Sequence, residues 1–430
     1  MTVTHRSLGV AVETAYASIS TSTGRPDNSG LTYVSIPCER DPIIIAGEPV
    51  ASERLDARDG NYNLPPEPDT MYNGGSRVRR RTGQVVVRVD LTTIGTAANN
   101  YTSNYLGYLL GAGFKTRVPT NPSDTVSSIA NTNTYAPTAA PAEADVGTLI
   151  GAELSGRAEY SAITDNDEGG AVKLSPAFSA AFTGTPTIRH LQTWYMAGRD
   201  LTGTREHSLS FRVDGVNFRS YAYGCVLESR NISLDSGRLM AELTYQAAVI
   251  QDDHGTAGGP IEPVYNTGAA QLFRGAYVVA SSTSPTSLSN ATSGDTLGRT
   301  QLAAEDFSLS VTNTLTPLGH SNDLAAMSGM EISESTVELS LTLSTVNTAI
   351  NEDYFNRTVR QILVGTGPIG DGLGCAIMLP AAMLTNDPSV YDVSGNDIVR
   401  QSLTYQQSRF GGDVVETNAG NSPFRIGLGI

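Results

Sequence analysis

Apolar and polar residues alternate strictly in two stretches of the chain, QVVVRVDLTT (84–93) and TVELSLTLST (336–345). One face of each stretch is apolar and consists of Val85, Val87, Val89 and Leu91, or of Val337, Leu339, Leu341 and Leu343. The other face is polar and includes Arg88 and Asp90, or Glu338, Ser340 and Thr342. A period of two is typical of a strand with one buried face. Both stretches are therefore predicted to be half-buried β-strands.

Each alternating stretch is followed by an apolar pattern with the period of a helix. The spacing i, i+4, i+7, i+8 is met first by Tyr101, Tyr105, Tyr108 and Leu109, and again by Phe355, Val359, Ile362 and Leu363. Such a spacing places the apolar side chains on one helix face. Gly111 and Gly113 are predicted to end the first helix, and Gly365 and Gly367 the second, which would begin at Asn351.

Four features recur in the same order along the chain. LTTIGTA (91–97) aligns with LSTVNTA (343–349) at an offset of 252, and the two helical patterns align at 254. GC recurs at 224–225 and 374–375, and LTYQ recurs at 243–246 and 403–406. Within each LTYQ segment, Leu and Tyr lie on one face. Each copy is therefore predicted to have the same apolar stripe, which contains Tyr245 in the first copy and Tyr405 in the second. An ordered series of this kind predicts a tandem duplication.

The offsets also predict how the chain is divided. Between the helix and GC the first copy is longer by 104 residues, since 254 minus 150 is 104, and this insertion spans about 114–220. Its first half, VPTNPSDTVSSIANTNTYAPTAAPAEA, is predicted to be a long exposed loop, and its second half contains strand signals in HLQTWYMAG and HSLSFRVDG. The predicted organisation is an N-terminal arm (1–27), a first domain (28–250), a linker (251–268), a second domain (269–410) and a C-terminal arm (411–430).

Composition favours a mainly β protein and argues against a role in gripping nucleic acid. Charged residues are 17%, and 43 Gly and 21 Pro accompany many Ser and Thr, which favours strands and turns. The net charge of −15 opposes binding by counterion release. The three cysteines, Cys38, Cys225 and Cys375, form no disulfide or metal framework and are expected to be small buried hydrophobes. No signal peptide and no membrane span are predicted, so no membrane partner is expected.

Motifs that carry chemistry are few and weak. GTGPIG (365–370) follows a predicted helix and contains proline, which does not fit a dinucleotide site. DNDEGG (165–170) has Pro176 where a calcium loop requires a carboxylate, and DDH (252–254) falls in the predicted linker. RVRRR (77–81) is interpreted as a solvated run. No enzyme activity, cofactor or metal is therefore predicted.

The chain resembles the tail tube proteins of long-tailed bacteriophages. The closest stretch is HSLSFRVDGVNFRSYAYGCVLESRNISLDSGRLMAELTYQA (207–247), with a strand, a Y-x-G-C corner and two strands joined by LDSG. The second copy resembles the family at FSLSVTNTLTPLG and in GCAIML followed by LTYQQ. The resemblance implies two tandem tail-tube-type β-sandwich or half-barrel domains, each with one flanking helix. It also implies stacked rings whose inner strands join in a continuous β-barrel, with a lumen that conducts DNA. The type VI secretion tube protein shares this ring architecture.

The resemblance further implies a stoichiometry, partners and a place in the virion. Because single-unit relatives form hexameric rings, three two-unit chains are expected to form a homotrimeric, pseudo-hexameric ring. Expected partners are further copies of the chain, the tape measure, terminator and distal tail proteins, and genomic DNA passing non-specifically. The protein is expected in the virion tail after assembly in the host cytoplasm.

Two groups of residues are singled out for this role. Predicted structural or assembly residues are Tyr101, Tyr105, Leu109, Phe355, Val359, Leu363, Tyr245 and Tyr405. Predicted lumen residues are Asp90, Arg88, Glu338, Ser340 and Thr342, although the pattern leaves open which face of each strand looks inward.

Two other classes of function stay open at this point. A phage decoration or receptor-binding β-module would form compact trimers that bind a surface glycan and never polymerise. A β-sandwich carbohydrate-active enzyme would need an aromatic-lined cleft with paired carboxylates, for which the chain offers only Trp194 and scattered tyrosines.

Overall fold

The computed structural model of the chain is mainly β, with two short α-helices among the residues that it describes. The described residues are 7–13, 16–17, 30–37, 43–53, 76–91, 105–111, 115–117, 123–131, 134–137, 146–154, 156–166, 172–180, 187–195, 208–215, 219–235, 237–253, 276–281, 300–319, 327–367, 374–389, 391–394, 398–408, 422 and 424–429.

Among their described residues, the first 253 positions contain sixteen strands and one helix. The first elements are β1 (Ser7–Val12), β2 (Val34–Ile36), β3 (Ile43–Glu53), β4 (Ser76–Asp90) and α1 (Tyr105–Gly111). They are followed by β5 (Lys115–Arg117), β6 (Ser123–Asn131), β7 (Thr134–Pro137), β8 (Leu149–Leu154), β9 (Arg157–Asn166), β10 (Val172–Ser175), β11 (Thr187–His190) and β12 (Gln192–Tyr195). The last of this part are β13 (Leu209–Asp214), β14 (Arg219–Asp235), β15 (Arg238–Ala247) and β16 (Val249–Asp253).

The rest of the chain contains nine strands, a 3-10 turn and a second helix among its described residues. These are β17 (Tyr277–Ser281), β18 (Thr300–Gln301), β19 (Ala304–Gly319), β20 (Met327–Leu343), a 3-10 turn (Thr348–Ile350), α2 (Asn351–Asn356), β21 (Val359–Thr366), β22 (Cys375–Leu384), β23 (Tyr391–Ser394), β24 (Ile398–Gln407) and β25 (Arg425–Leu428).

One antiparallel sheet runs through both halves of the chain, and we call it the long sheet. Its strand order is β3–β4–β15–β14–β19–β20–β24, with β23 and the end of β22 beyond β24. The two alternating stretches of the sequence lie in it as β4 and β20. All eight apolar residues of those stretches are at most 1% exposed, which confirms both strand predictions.

Two smaller sheets cover the apolar face of the long sheet. The first outer sheet has the order β2–β1–β13–β14–β16 and uses the N-terminal part of β14. The second outer sheet has the order β18–β17–β21–β22–β25–β12–β5. One apolar core lies between the long sheet and both outer sheets, and it includes Val87, Leu339, Phe211, Ile362 and Ile426.

Strand β14 passes from the first outer sheet into the long sheet at Gly224. This glycine has φ of +62°, and a Cβ at its position would lie 2.8 Å from Cβ of Ala248. Its amide donates to Glu13 Oε1 at 2.9 Å, and Ala17 N and the Ser208 hydroxyl donate to Oε2. Burial raises the pKa of the Glu13 carboxyl, although these three hydrogen bonds act to lower it. The corner therefore requires glycine and is tied to the end of β1.

The insertion contains a closed six-stranded barrel with the order β10–β7–β6–β11–β8–β9. Its interior is filled by apolar side chains such as Val126, Tyr135 and Ile188. The prediction of a long exposed loop is therefore wrong for β6 and β7, because the β-branched residues scattered among Ser, Thr and Asn suffice to fill so small a barrel. The predicted strand signals around 190–196 and 207–215 are confirmed as β12 and β13, which belong to the outer sheets and not to the barrel.

The barrel packs on the second outer sheet through a row of small residues. Gly365, Ala376 and Gly427 are direct neighbours across β21, β22 and β25. A Cβ at Gly365 would overlap the ring of Tyr160, and one at Gly427 would lie 2.9 Å from Cβ of Leu191. The barrel therefore packs on the part of the sheet where small side chains allow close approach to the backbone.

Polar contacts reinforce this packing. The Tyr160 hydroxyl lies 2.8 Å from the carbonyl oxygens of both Thr366 and Gly367, and the Ser175 hydroxyl donates to Gln361 Oε1 at 2.7 Å. Tyr277 donates to Glu159 Oε2 at 3.2 Å. The barrel inserted in the first half of the chain is therefore held by the second half.

Both predicted terminal arms contain buried strands. Residues 7–12 form β1, in which Val10 and Ala11 are fully buried, and residues 425–428 form β25, in which Arg425 and Ile426 are fully buried. The arm prediction is wrong for these residues, because short apolar strands can complete a sheet formed by distant parts of the chain. In the predicted linker, residues 251–253 belong to β16, and 254–268 lie outside the described residues.

The prediction of the second helix is wrong for the residues after Asn356. Helix α2 ends at Asn356, where Arg357 takes the left-handed conformation, and Val359, Ile362 and Leu363 lie in strand β21. Ile362 faces the central core, and Leu363 faces the barrel. Because β21 is buried on both faces, its apolar residues do not alternate, and a short apolar run of this kind imitates the helical period.

The first predicted helix is confirmed in part. Helix α1 begins at Tyr105, buries Leu106, Leu109 and Leu110, and ends at Gly111 as predicted. Tyr101 lies outside the described residues.

Candidate functional site

The strand pairings of the long sheet assemble a continuous polar face. Because the strands are in register, residues opposite each other form rows that cross the sheet. One row crosses six strands and contains Arg88, Glu242, Asn231, Ser310, Glu338 and Gln406.

The neighbouring rows are rich in hydroxyl groups. One of them contains Asp90, Met240, Ser233, Ser308, Ser340 and Thr404, and another contains Asp306, Thr342 and Ser402. The structure therefore brings all five predicted lumen residues, Asp90, Arg88, Glu338, Ser340 and Thr342, onto one face of one sheet. Whether that face lines a lumen stays a prediction.

Arginines on this face are paired with carboxylates. Arg88 forms an ion pair with Asp235, Arg238 with Asp90 at 3.4 Å, and Arg400 with Glu305 at 2.8 Å. These three arginines are consequently neutralised within the face and are poorly placed to hold a phosphate group.

Four further carboxylates on this face have no cationic partner among the described residues: Glu228, Glu242, Asp306 and Glu338. Gln84 donates a hydrogen bond to Glu228 at 2.8 Å, whereas Glu242, Asp306 and Glu338 point outward and are exposed. The described part of the face therefore carries an excess of negative charge, which repels a polyanion at close range.

Most predicted assembly residues are core residues of the chain itself. Tyr105, Leu109, Leu363, Tyr245 and Tyr405 are all at most 9% exposed. Val359 is half-buried in β21, and Phe355 on α2 is 70% exposed. The buried residues shape the sheets from within. Of the predicted assembly residues that the structure describes, Phe355 alone has the exposure that a contact with another chain requires.

The two buried cysteines fit the interpretation as small hydrophobes. Cys225 and Cys375 are buried, and burial raises the pKa of both thiols, to about 12 for Cys375. Thiols in such surroundings are unreactive. Cys38 lies outside the described residues.

The sequence pattern alone missed the polar residues that β14, β15, β19 and β24 contribute to this face. Alternation is present in RLMAELTYQ, where Glu242 and Thr244 fall between buried residues, but it is too short to stand out. In β14 the β-bulge between Leu227 and Ser229 breaks the period. The cross-strand register, which the sequence does not supply, joins these residues to Arg88 and Glu338.

The long sheet has two open edges in the described part of the chain. At one edge β3 pairs only with β4, and at the other β23 pairs only with β24. An open edge presents unpaired backbone N–H and C=O groups and readily accepts a further strand.

Chemistry of other kinds has little support in the described residues. No three His, Cys, Asp or Glu side chains within them are grouped so that they could hold a metal ion. None of the helices described is long and apolar enough to cross a membrane.

No protein-family model matches the sequence, and no curated protein is significantly similar to it.

Proposed function

We propose that the protein is a structural component of a bacteriophage tail tube, in which copies of the chain form rings whose negatively biased lumen conducts DNA. The observation that carries the proposal is the long sheet itself. In the described part of the chain, it is continuous across both halves, polar on one face, buried on the other and open at both edges.

The proposal interprets the chain as two units with the same topology. The first unit consists of β1–β4, α1 and β13–β16, and the second of β17–β20, α2 and β21–β25. In both, two strands precede a hairpin and a helix follows it. Four further strands, β13–β16, complete the sheets of the first unit, and five, β21–β25, complete those of the second, where β22 and β23 together take the place of β14. The outer sheets agree as well, since β2–β1–β13–β14–β16 has its counterpart in β18–β17–β21–β22–β25.

The repeated LTYQ segments support this interpretation at the level of single residues. Leu243 pairs with Val87, and Leu403 pairs with Leu341. Since 341 minus 87 gives 254, β4 and β20 correspond at an offset of 254, two residues from the offset of 252 that the letters LTTIGTA and LSTVNTA suggest.

The two GC dipeptides do not occupy equivalent places. Cys225 lies next to Val226, where β14 begins to pair with β15, whereas Cys375 opens β22, which meets β24 only at Ala382. The match between the two GC dipeptides, which was part of the predicted duplication, is therefore wrong. The match between the two LTYQ segments agrees with the strand pairings.

Simple barrel geometry supports a ring of three chains. Each chain contributes eight strand positions to the long sheet, four from each unit, because the end of β22 and β23 share the position beside β24. Three copies therefore supply 24 strand positions. At a strand spacing of about 4.8 Å and a tilt of about 40°, such a barrel is about 50 Å across between backbones. A lumen of this size passes a DNA duplex and leaves room for the side chains.

The charge of the polar face suits this role. A conduit must not hold the DNA that moves through it. The described side chains of the face combine hydroxyl groups, arginines paired with carboxylates, and carboxylates without a cationic partner among the described residues. Attractive contacts with phosphates would instead require free lysines or arginines.

Negative-stain electron microscopy of the purified protein tests the proposal. Hollow tubes or stacked rings with three-fold or pseudo-six-fold symmetry are expected. Six full chains in a ring would overturn the trimer. Compact trimers that never stack, and that bind a glycan, would instead favour a decoration or receptor-binding module.

A further inference from the structure

The two units of the chain meet at a strand junction in the middle of the long sheet. There β14 of the first unit pairs with β19 of the second, and the register is Ser233 with Ser308, Ile232 with Leu309 and Asn231 with Ser310. In the order across the long sheet, β14 is the final strand of the first unit and β19 is the initial strand of the second unit.

The strands at the two open edges of the long sheet, β23 and β3, are the counterparts of the two junction strands, β14 and β19. Strand β23 corresponds to the end of β14, because Tyr391 pairs with Gln401 as Ile232 pairs with Ala241, and both Gln401 and Ala241 lie two residues before the Leu of LTYQ. In the order across the long sheet, β23 is therefore the final strand of the second unit, as β14 is of the first.

Strand β3 corresponds to β19 by the same reasoning. Ile44 pairs with Val85, and Leu309 pairs with Leu339. Val85 and Leu339 are in turn the partners of Tyr245 and Tyr405 in the two LTYQ segments. Thus Ile44 and Leu309 occupy equivalent positions at the outer edges of their units.

We infer that the junction inside the chain is the template for the junction between chains. The operation that carries the first unit onto the second, when applied once more, places β3 of the next copy against β23. The expected register is antiparallel and pairs Asp392 of one copy with Ile43 of the next, and Tyr391 with Ile44. The partner at each edge is a second copy of this chain, joined head to tail.

Physical reasons favour this pairing over an arbitrary edge contact. A head-to-tail contact uses two different surfaces and closes into a ring when the rotation fits. The register also keeps the two faces of the sheet continuous, whereas a shift by one residue would turn the polar face of the next copy toward the core side. Every open strand edge in the long sheet is satisfied when the ring closes.

The inference rests on the proposed function and is tested by disulfide cross-linking. Cysteines are introduced at Asp392 and Ile43 together in a Cys38→Ser background, and the purified protein is oxidised under native conditions. Opposite positions in an antiparallel pair have Cα separations within the range that a disulfide spans. A covalent ladder that ends at the trimer is expected on a non-reducing denaturing gel.

A one-residue shift provides the matched control. The pair Asp392→Cys and Ile44→Cys lies on opposite faces of the expected junction and should stay monomeric on the gel. A second in-register pair, Tyr391→Cys with Ile44→Cys, guards against a variant that fails to fold, which circular dichroism would reveal.

The outcomes separate the register from the function. Rings in the microscope with cross-links in both in-register pairs support the inference. Rings that form cross-links only in the shifted pair, or in none of the variants that fold, overturn the register, and the proposed tube function still stands. Protein that stays monomeric, without rings, overturns both.

Discussion

The two tyrosines of the repeated LTYQ segments occupy equivalent strand positions but have different surroundings. Both are fully buried, and Tyr245 donates its hydroxyl proton to the carbonyl oxygen of Leu109, near the end of α1, at 2.7 Å. The Tyr405 hydroxyl has no hydrogen-bond partner among the described residues. Burial raises the pKa of both phenols, so each stays protonated in the folded protein at ordinary pH.

This difference predicts opposite responses to the same substitution. Tyr245→Phe removes the only proton that this side chain donates and should lower the free energy of unfolding by about 1 kcal/mol. Tyr405→Phe removes a buried hydroxyl that has no partner, so no loss or a small gain is expected. Urea unfolding followed by circular dichroism measures both variants, and an equal loss in the two would contradict the assignment.

At the level of elements, the sequence predicted best where a strand is buried on one face. Strands β4 and β20 alternate clearly because water lies on one side of the long sheet and the core on the other. Strand β21 was mistaken for a helix because the core covers one face and the barrel the other. The terminal strands β1 and β25 were missed because their partners come from distant parts of the chain. The polar face could be predicted only as two isolated strands, since cross-strand register depends on the whole fold.

The contact between the barrel and the second outer sheet leads to a prediction at this scale. Gly365→Ala introduces a Cβ against the ring of Tyr160 and should lower the free energy of unfolding by about 1–3 kcal/mol, as overpacking does. In a Tyr160→Ala background the added methyl group has room, and the same substitution should cost less. A double-mutant cycle by urea unfolding measures the coupling. Additive effects would mean that Tyr160 is not what restricts position 365.

At the level of the whole molecule, three features support the proposed conduit. The long sheet runs through both halves of the chain, its apolar face is covered by the outer sheets, and its polar face is left to water. The barrel lies on the side of the second outer sheet that faces away from the long sheet, since Tyr160 and Leu149 pack with Tyr277 and Leu363. In a ring lined by the polar face, the barrel would therefore project from the outside of the tube.

The charge of the polar face predicts how an altered tube would treat DNA. Glu242→Lys together with Glu338→Lys replaces two carboxylates of one row that have no cationic partner among the described residues, and raises the charge of that face by four per chain. Purified tubes of this variant should retain duplex DNA at low salt, with an affinity that falls as salt rises, because lysines that face phosphates release counterions. Wild-type tubes should not retain it.

A charge-matched control separates the lumen from the rest of the surface. Glu153→Lys with Glu352→Lys changes the net charge equally, but Glu153 is exposed on the barrel and Glu352 is exposed on α2, away from the polar face. Co-sedimentation of a labelled duplex with tubes over a range of salt concentrations measures retention for all three proteins. Equal retention by the two variants would mean that the polar face of the long sheet does not line the path of the DNA. Retention by the Glu242 and Glu338 variant alone would place these side chains on that path.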